Sequence, residues 1–421
     1  MDQLTAERGD AVGIIGVKWD MLKRIAVNTG VQILGKVMSV MVSLVTTGIL
    51  TRKLGVPVYG QYILIVSLSI FFDALADFGT SIIGVREASK VESEAERVRI
   101  WSNVAILRLI MAFFSLALGL VLIYSWPDLK EVRFEAVLAW VMMIFTSLAG
   151  SLGIVWQTRM RMESKVLVEV MFPTVFLLGL WRFSGEINLI WVFSAYLVAR
   201  VITLAWGWWI GRGTINFRLI DKNIIKRLLM MSWPMGIYLM VFSAYDRAID
   251  AIMIRRFLGA DQVAWYGLAY KIYGVLIQPA FFLVSGIFPI LSSNKNNKKI
   301  FSWSALILLV AGITMMVGVW IFAPIMVYML AGSQFEASVG ILRILMVALV
   351  FAYLGHLVGF TLISKEGQKE MLGMGVIILI FNFTGNLVAI PRFGVVGAAT
   401  VTVLTEALSL LLMTIRLRRR N

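Results

Sequence analysis

The sequence predicts an all-α integral membrane protein, with about 12 transmembrane helices as two parallel six-helix repeats forming two lobes around a central cleft. Three observations predict it. Of 421 residues, 60% are apolar and only 15% charged, with a mean hydropathy of +0.87; soluble domains run nearer roughly 45–50% and 25%. The apolar residues gather in long segments rather than alternating with polar ones. A connecting motif also recurs about half a chain apart.

The segments follow in order. Residues 1–24 carry Asp2, Glu7, Arg8 and Asp10 without a cleavage pattern, so they read as a cytoplasmic N-terminal segment rather than a signal peptide. Apolar stretches then fall at 25–50, 58–85, 101–125, 134–157, 166–182 and 187–210. A basic stretch at 211–228 separates these from a second set at 229–257, 262–291, 300–330, 338–363, 370–390 and 394–415. Residues 416–421 form a basic tail. The predicted units are therefore an N-lobe at 25–210, an inter-lobe linker at 211–228 and a C-lobe at 229–415.

The charge excess of +15 has a location. Arg86, Lys90, Arg97 and Arg99 lie in one even-numbered connection, Arg159, Arg161 and Lys165 in the next, and Arg212, Arg218, Lys222 and Lys226 in the linker. By the positive-inside rule these face the cytoplasm, so both termini are expected there, in the cytoplasmic (inner) membrane of the cell. The excess then sets orientation and implies no nucleic-acid partner. With no cysteine and one histidine, His356, the chain has no disulfide, no thiolate metal site and no His-based metal site or triad. Outside connections are short, leaving no extramembrane domain for an active site. No enzyme, cofactor or metal centre is expected.

The repeat is legible in single residues. Leu54-Gly55 followed by Tyr59-Gly60 has its counterpart in Leu258-Gly259 followed by Tyr266-Gly267, each after a basic pair (Arg52/Lys53, Arg255/Arg256). Leu54 and Leu258 are 204 apart; Gly153 and Gly359, and Arg200 and Glu406, are 206 apart. Six helices is an even number, so the halves share one orientation and are related by an axis along the membrane normal, with a site expected between them.

Four blocks carry a resemblance over nearly the whole chain: Leu54-Gly55…Tyr59-Gly60; Asp77-Phe78-Gly79…Arg86-Glu87; Asp250…Leu258-Gly259…Tyr266…Tyr270-Lys271; and Pro391…Gly394…Gly397-Ala398-Ala399. In these the sequence resembles the polysaccharide (Wzx-like) flippase branch of the multidrug/oligosaccharidyl-lipid/polysaccharide exporter superfamily. That resemblance implies movement of polyprenyl-diphosphate-linked oligosaccharide between membrane leaflets by alternating access, for cell-surface polysaccharide synthesis. It implies a lipid-linked substrate; membrane lipids and a proton or sodium counter-ion are the other expected partners, and a monomer is the expected working unit.

Charges inside spans cost about 2.5–3.5 kcal/mol each on insertion scales and so should face the bundle interior or a wet cavity. A diphosphate needs cations, and the candidates are Lys36, Arg200, Arg247 and Lys271, with Asn28 and Gln32 on the Lys36 face at four-residue spacing. Asp73, Asp77, Asp246, Asp250 and Glu406 are ion-coupling or gate candidates, and Arg247 can pair with Asp250 three residues on. Arg52, Lys53, Arg255 and Arg256 suggest a basic rim at the outer mouth. Against each stands a bland reading: polar seams for Lys36, structural ion pairs for Arg247, snorkelling for Lys271, Arg108 and Arg343, packing for His356, headgroup contacts for the rim. Gly30…Lys36 superficially resembles a phosphate-binding loop, but it lies inside a span and lacks the following Ser/Thr. Two alternatives to a flippase remain: a multidrug or cation antiporter of the same superfamily, whose cleft should be acidic and aromatic, and a membrane glycosyltransferase or polymerase, which would need a large outside loop.

Overall fold

The computed structural model describes the backbone at 2–182, 185, 187–292, 297–364 and 368–420, and the side chains of these residues apart from 2–29, 288–292, 297 and 368–369. Every regular element among them is helical. The first lobe comprises α1 (Asp2–Asp77), α2 (Thr80–Ser89), α3 (Glu94–Ser125), α4 (Arg133–Thr158), α5 (Met162–Arg182) and α6 (Leu189–Ile210). The second comprises α7 (Lys222–Ser243), a π-helical turn (Ala244–Ala248), α8 (Ile249–Leu258), α9 (Ala260–Leu276), α10 (Gln278–Ser292), α11 (Asn297–Ala331), α12 (Ala337–Ser364) and α13 (Gln368–Arg420).

Ten helices among the described residues are long and apolar enough to cross a membrane, which makes this a multi-pass membrane protein. Two of the ten are too long for one crossing. Gly30–Ser89 runs for 60 residues and Glu370–Arg420 for 51, about 90 Å and 76 Å at 1.5 Å per residue, against a hydrocarbon core of about 30 Å. Each is broken into two arms by a glycine, Gly55 (φ 69°, ψ 176°) and Gly394 (φ 62°, ψ −148°).

Gly55 has a twin. Gly259 (φ 95°, ψ −177°) breaks the corresponding connection of the second lobe in the same extended, positive-φ region, which only glycine enters without strain. The motif that repeats in sequence thus repeats in backbone geometry. Beyond each break stands a tyrosine-glycine pair, and the glycine of each lies against the opposite lobe. A Cβ on Gly60 would lie 1.9 Å from the carbonyl oxygen of Ala260, and one on Gly267 would lie 2.5 Å from Ile63 Cγ2. Missing side chains let the second arm of α1 and helix α9 approach across the lobe boundary.

Within the lobes, α4 and α12 occupy equivalent central places. Helix α4 packs on α3, α6 and α1, and α12 on α9, α10, α11 and α13. Between the lobes, α1 meets α9 and α7, while α2 and α3 meet α7.

The linker is bonded to the first lobe. Asn103 donates to the Leu219 carbonyl (3.0 Å) and accepts from the Asp221 amide (2.8 Å), while Ser102 accepts from the Asn216 amide (2.8 Å). Asp221 caps α7 by accepting from the Asn223 amide (2.9 Å) and pairs with Arg99 at 2.6 Å. The Asn223 amide first, then the Arg99 guanidinium and the Ile224 amide, hold the Asp221 carboxyl below the usual carboxylate range. A depressed folded pKa gives stability that is present above the unfolded value of about 3.9 and lost as pH falls through the folded one. Asp221→Asn is therefore expected to melt below wild type at neutral pH, with the gap closing under acid; melting curves in detergent between pH 7 and pH 3 test this.

Candidate functional site

The first arm of α1 carries Gln32 and Lys36 on one face, as their four-residue spacing requires. With Glu169 of α5 and Gln278, Phe281 and His356 of the second lobe, they line an opening of about 350 Å³. Lys36 is exposed there. The Asn28 side chain lies outside the described residues.

Deeper, a pocket of about 80 Å³ lies between the lobes, bounded by Thr47, Tyr62 and Ser67 on one side and by Arg247, Tyr266 and Lys271 on the other. The fields of Arg247 and Lys36 both reach Lys271. Three cations from two lobes therefore share one electrostatic neighbourhood, in which Asp246 pairs with Arg247 and Glu169 shares the Lys36 opening. Arg200 is not part of it. Its guanidinium lies 3.5 Å from the centroid of the Phe172 ring inside the first lobe, and its Nε has no hydrogen-bond partner. The 206-residue counterpart, Glu406, lies in a separate second-lobe cavity, and no contact joins the two.

That cavity measures about 390 Å³. Asp246 and Arg247 enter it from the π-turn of the seventh span, a local irregularity that often marks working sites. The sequence suggests an Arg247–Asp250 pair; the structure differs. Arg247 Nε lies 3.3 Å from its neighbour Asp246, because the π-turn interrupts the α-helical register on which the i, i+3 expectation depends. Tyr270 also donates to Asp246 (2.9 Å). Asp250 is 1% exposed and faces away, accepting from Tyr266 Oη (2.5 Å) and Asn386 Nδ2 (2.7 Å), with Thr402 Oγ1 at 3.5 Å. It thereby fastens α8 to α9 and both to α13.

In the first lobe, Asp77 accepts from Arg108 and from Ser81. Arg108 does not snorkel. It is 5% exposed, donates to the Ser147 carbonyl (2.9 Å) and to Ser81 Oγ (2.7 Å), and fills the space left by Gly150, whose absent Cβ would lie 2.4 Å from its Nη2. The pair braces the break between α1 and α2, where Phe78 and Gly79 have φ of 44° and 75°. Asp73 feels Arg200, Arg108 and Asp77 from the same lobe.

The basic pairs at the connections divide in two. Arg52 reaches across to the Met329 carbonyl of α11 (2.5 Å), and Arg255 faces Glu131 of the first lobe at 4.0 Å. Each thus spans to the opposite lobe. Lys53 and Arg256 are exposed. Gln334 strengthens the seam by donating to the Thr51 carbonyl (3.1 Å). The far side, opposite the linker, is fastened shut, while the opening at Lys36 lies nearer the linker.

Sequence reasoning assigned no site role to Asn382 and Asn386 or to Tyr238, Tyr245 and Tyr273, and took Tyr270 only as part of a family block. The asparagines did carry a signal: they are four residues apart on one helix face, and the structure joins them at 3.2 Å. The tyrosines' convergence depends on two separate helices and leaves no spacing to read.

The fold and these sites define a two-lobed, multi-pass membrane protein with a polar seam between six-helix repeats. The chain belongs to the polysaccharide biosynthesis protein family, whose model matches residues 25–295. No curated protein sequence matches it. Among solved structures, it is similar to the lipid II flippase MurJ in an inward closed conformation, with a TM-score of 0.77 and 15% identity, over 91% of this chain and 87% of that one. It is also similar to an inward-facing multidrug resistance MATE family transporter of the MOP superfamily (TM-score 0.72, 15% identity, 91% and 94%). A third is a MOP superfamily transporter from Pyrococcus furiosus, described as having a binding pocket of reverse polarity (0.62, 14%, 94% and 94%). At these identities the likeness is one of fold.

Proposed function

We propose that the protein is a flippase that carries polyprenyl-diphosphate-linked oligosaccharide across the cytoplasmic membrane by alternating access, serving cell-surface polysaccharide synthesis. One observation carries this reading: Lys36 of one lobe and Arg247 and Lys271 of the other share a cationic neighbourhood at the inter-lobe junction. A diphosphate binds cations through charge-assisted hydrogen bonds, and a site built from both lobes is made and unmade as they rock. Family membership supports the polysaccharide context.

In this reading residues 25–210 and 229–415 are the moving lobes, 211–228 the linker, and both termini are cytoplasmic. The chain works as a monomer and as a carrier rather than an enzyme. A proton or sodium gradient supplies energy, with Asp73, Asp77, Asp246, Asp250 and Glu406 as coupling candidates. Arg200 then tunes the first lobe from beside the cleft, and Arg52 and Arg255 act as latches that release when the far side opens.

The test is leaflet transfer of a labelled polyprenyl-diphosphate oligosaccharide in proteoliposomes. Wild type is expected to transfer it, and Lys36→Ala or Arg247→Ala to slow transfer about tenfold or more, since hydrogen bonds to charged groups are worth about 1.5–3 kcal/mol. A second reading, cation antiport, draws on the acidic and aromatic second-lobe cavity. Absence of lipid transfer together with gradient-driven uptake of organic cations would establish it instead.

A further inference from the structure

The cationic junction continues into a cavity of opposite character. Arg247 lines both the small inter-lobe pocket and the 390 Å³ cavity, so it stands at their boundary. Beyond it the charge balance turns. The Asp246 carboxylate is matched by Arg247 at 3.3 Å, but Glu406 has no ion pair or hydrogen bond, and the remaining ring nitrogens belong to His356. The walls are aromatic: Tyr238, Phe242, Tyr245, Tyr270 and Tyr273 all face in. Gly274, Gly355, Gly359 and Gly375 leave room where side chains are absent, and Gln278, Thr405 and Ser409 add polar groups to a lining completed by apolar residues. At about 390 Å³ the cavity falls among small-molecule sites, which run roughly 300–1,000 Å³.

The ligand must suit an unpaired carboxylate, aromatic walls and the polar side chains of Gln278, Thr405 and Ser409, next to a site for anions. Ammonium groups fit the first two by charge and by cation–π attraction. Sugar hydroxyls fit the third. We propose that the second-lobe cavity is a subsite for a sugar bearing a free amine, held against Glu406 and the aromatic walls while the adjoining diphosphate meets Arg247 and Lys271. This rests on the flippase reading, and it accounts within that reading for the acidic wall that otherwise favours an antiporter. A uronic acid would be repelled by Glu406, and N-acetylation would remove the charge that Glu406 attracts.

The experiment is calorimetric titration of the detergent-purified full chain with three synthetic short-chain prenyl diphosphates, carrying glucosamine, N-acetylglucosamine or glucuronic acid. Glucosamine is expected to bind about tenfold more tightly than N-acetylglucosamine, equivalent to about 1.4 kcal/mol, and glucuronic acid most weakly. The preference should shrink to about twofold or less in Glu406→Gln. Equal affinity of the three ligands for wild type, or a preference intact in Glu406→Gln, would overturn the amine subsite while leaving the flippase reading in place. Binding of none of the three would overturn both.

Discussion

Arg108→Ala is expected to be the most destabilising single replacement in the first lobe, lowering stability by about 3–5 kcal/mol, as loss of one partner from a buried ion pair does. The guanidinium is 5% exposed and bonded at once to Asp77, Thr80, Ser81 and the Ser147 carbonyl. Its removal strands Asp77 inside the bundle and leaves a void beside Gly150. The α1–α2 break at Phe78 and Gly79 then loses its brace. Chemical or thermal unfolding of the detergent-solubilised protein measures the loss. A paired replacement, Arg108→Met with Asp77→Leu, should recover most of it, because no uncompensated charge remains. If Arg108→Ala melts like wild type, the pair contributes no net stability.

Arg108 also shows where sequence stopped being informative. Lying eight residues into its apolar segment, it read as a side chain long enough to reach the membrane surface. Nothing in α3 alone reveals that Gly150, one helix away, vacates the space the guanidinium fills. The same limit applies to Asp250, whose partners Tyr266, Asn386 and Thr402 come from two other helices. A local irregularity defeated the Arg247–Asp250 expectation, since the π-turn cannot be read from spacing that presumes 3.6 residues per turn. By contrast, the spans were legible because bilayer thickness imposes a length on them. The two-fold repeat was legible because both copies need glycine at the same backbone position, Gly55 and Gly259. The Gln32–Lys36 face was legible because a single helix fixes it.

Gly60→Val is expected to force the far side open. Its first side-chain carbon would overlap the Ala260 carbonyl, 1.9 Å away, and backbone cannot yield there as a flexible side chain could. Each lobe should stay folded, since the clash lies between them, but the seam held by Arg52, Arg255 and Gln334 would part. The chain contains no cysteine, so a single introduced one reports cleanly. Val263→Cys, at a residue 1% exposed beside the seam, should react with a membrane-impermeant maleimide about tenfold faster or more in the Gly60→Val background. That factor corresponds to a population shift of about 1.4 kcal/mol, well below the strain of such an overlap. Unchanged labelling would mean that the seam absorbs the bulk without parting.

The bonded linker has a mechanical consequence. Because Asn103, Ser102 and Arg99 grip 216–221 and Asp221 caps α7, the first turns of α7 are anchored to the opposite lobe from the one they lead into. Phe78 and Gly79 reinforce this grip by pressing on Ser232, Met235 and Gly236. A turn of the second lobe therefore cannot pivot in the loop. It must be taken up within the helix, where Pro234 removes one rung of backbone hydrogen bonding and the π-turn at Ala244–Ala248 loosens the next. In the proposed rocking of the lobes the seventh span would thus work as a flexure, its base clamped to one body and its tip carrying Asp246 and Arg247 with the other, so rotation of the lobes and displacement of those two charges would be a single motion.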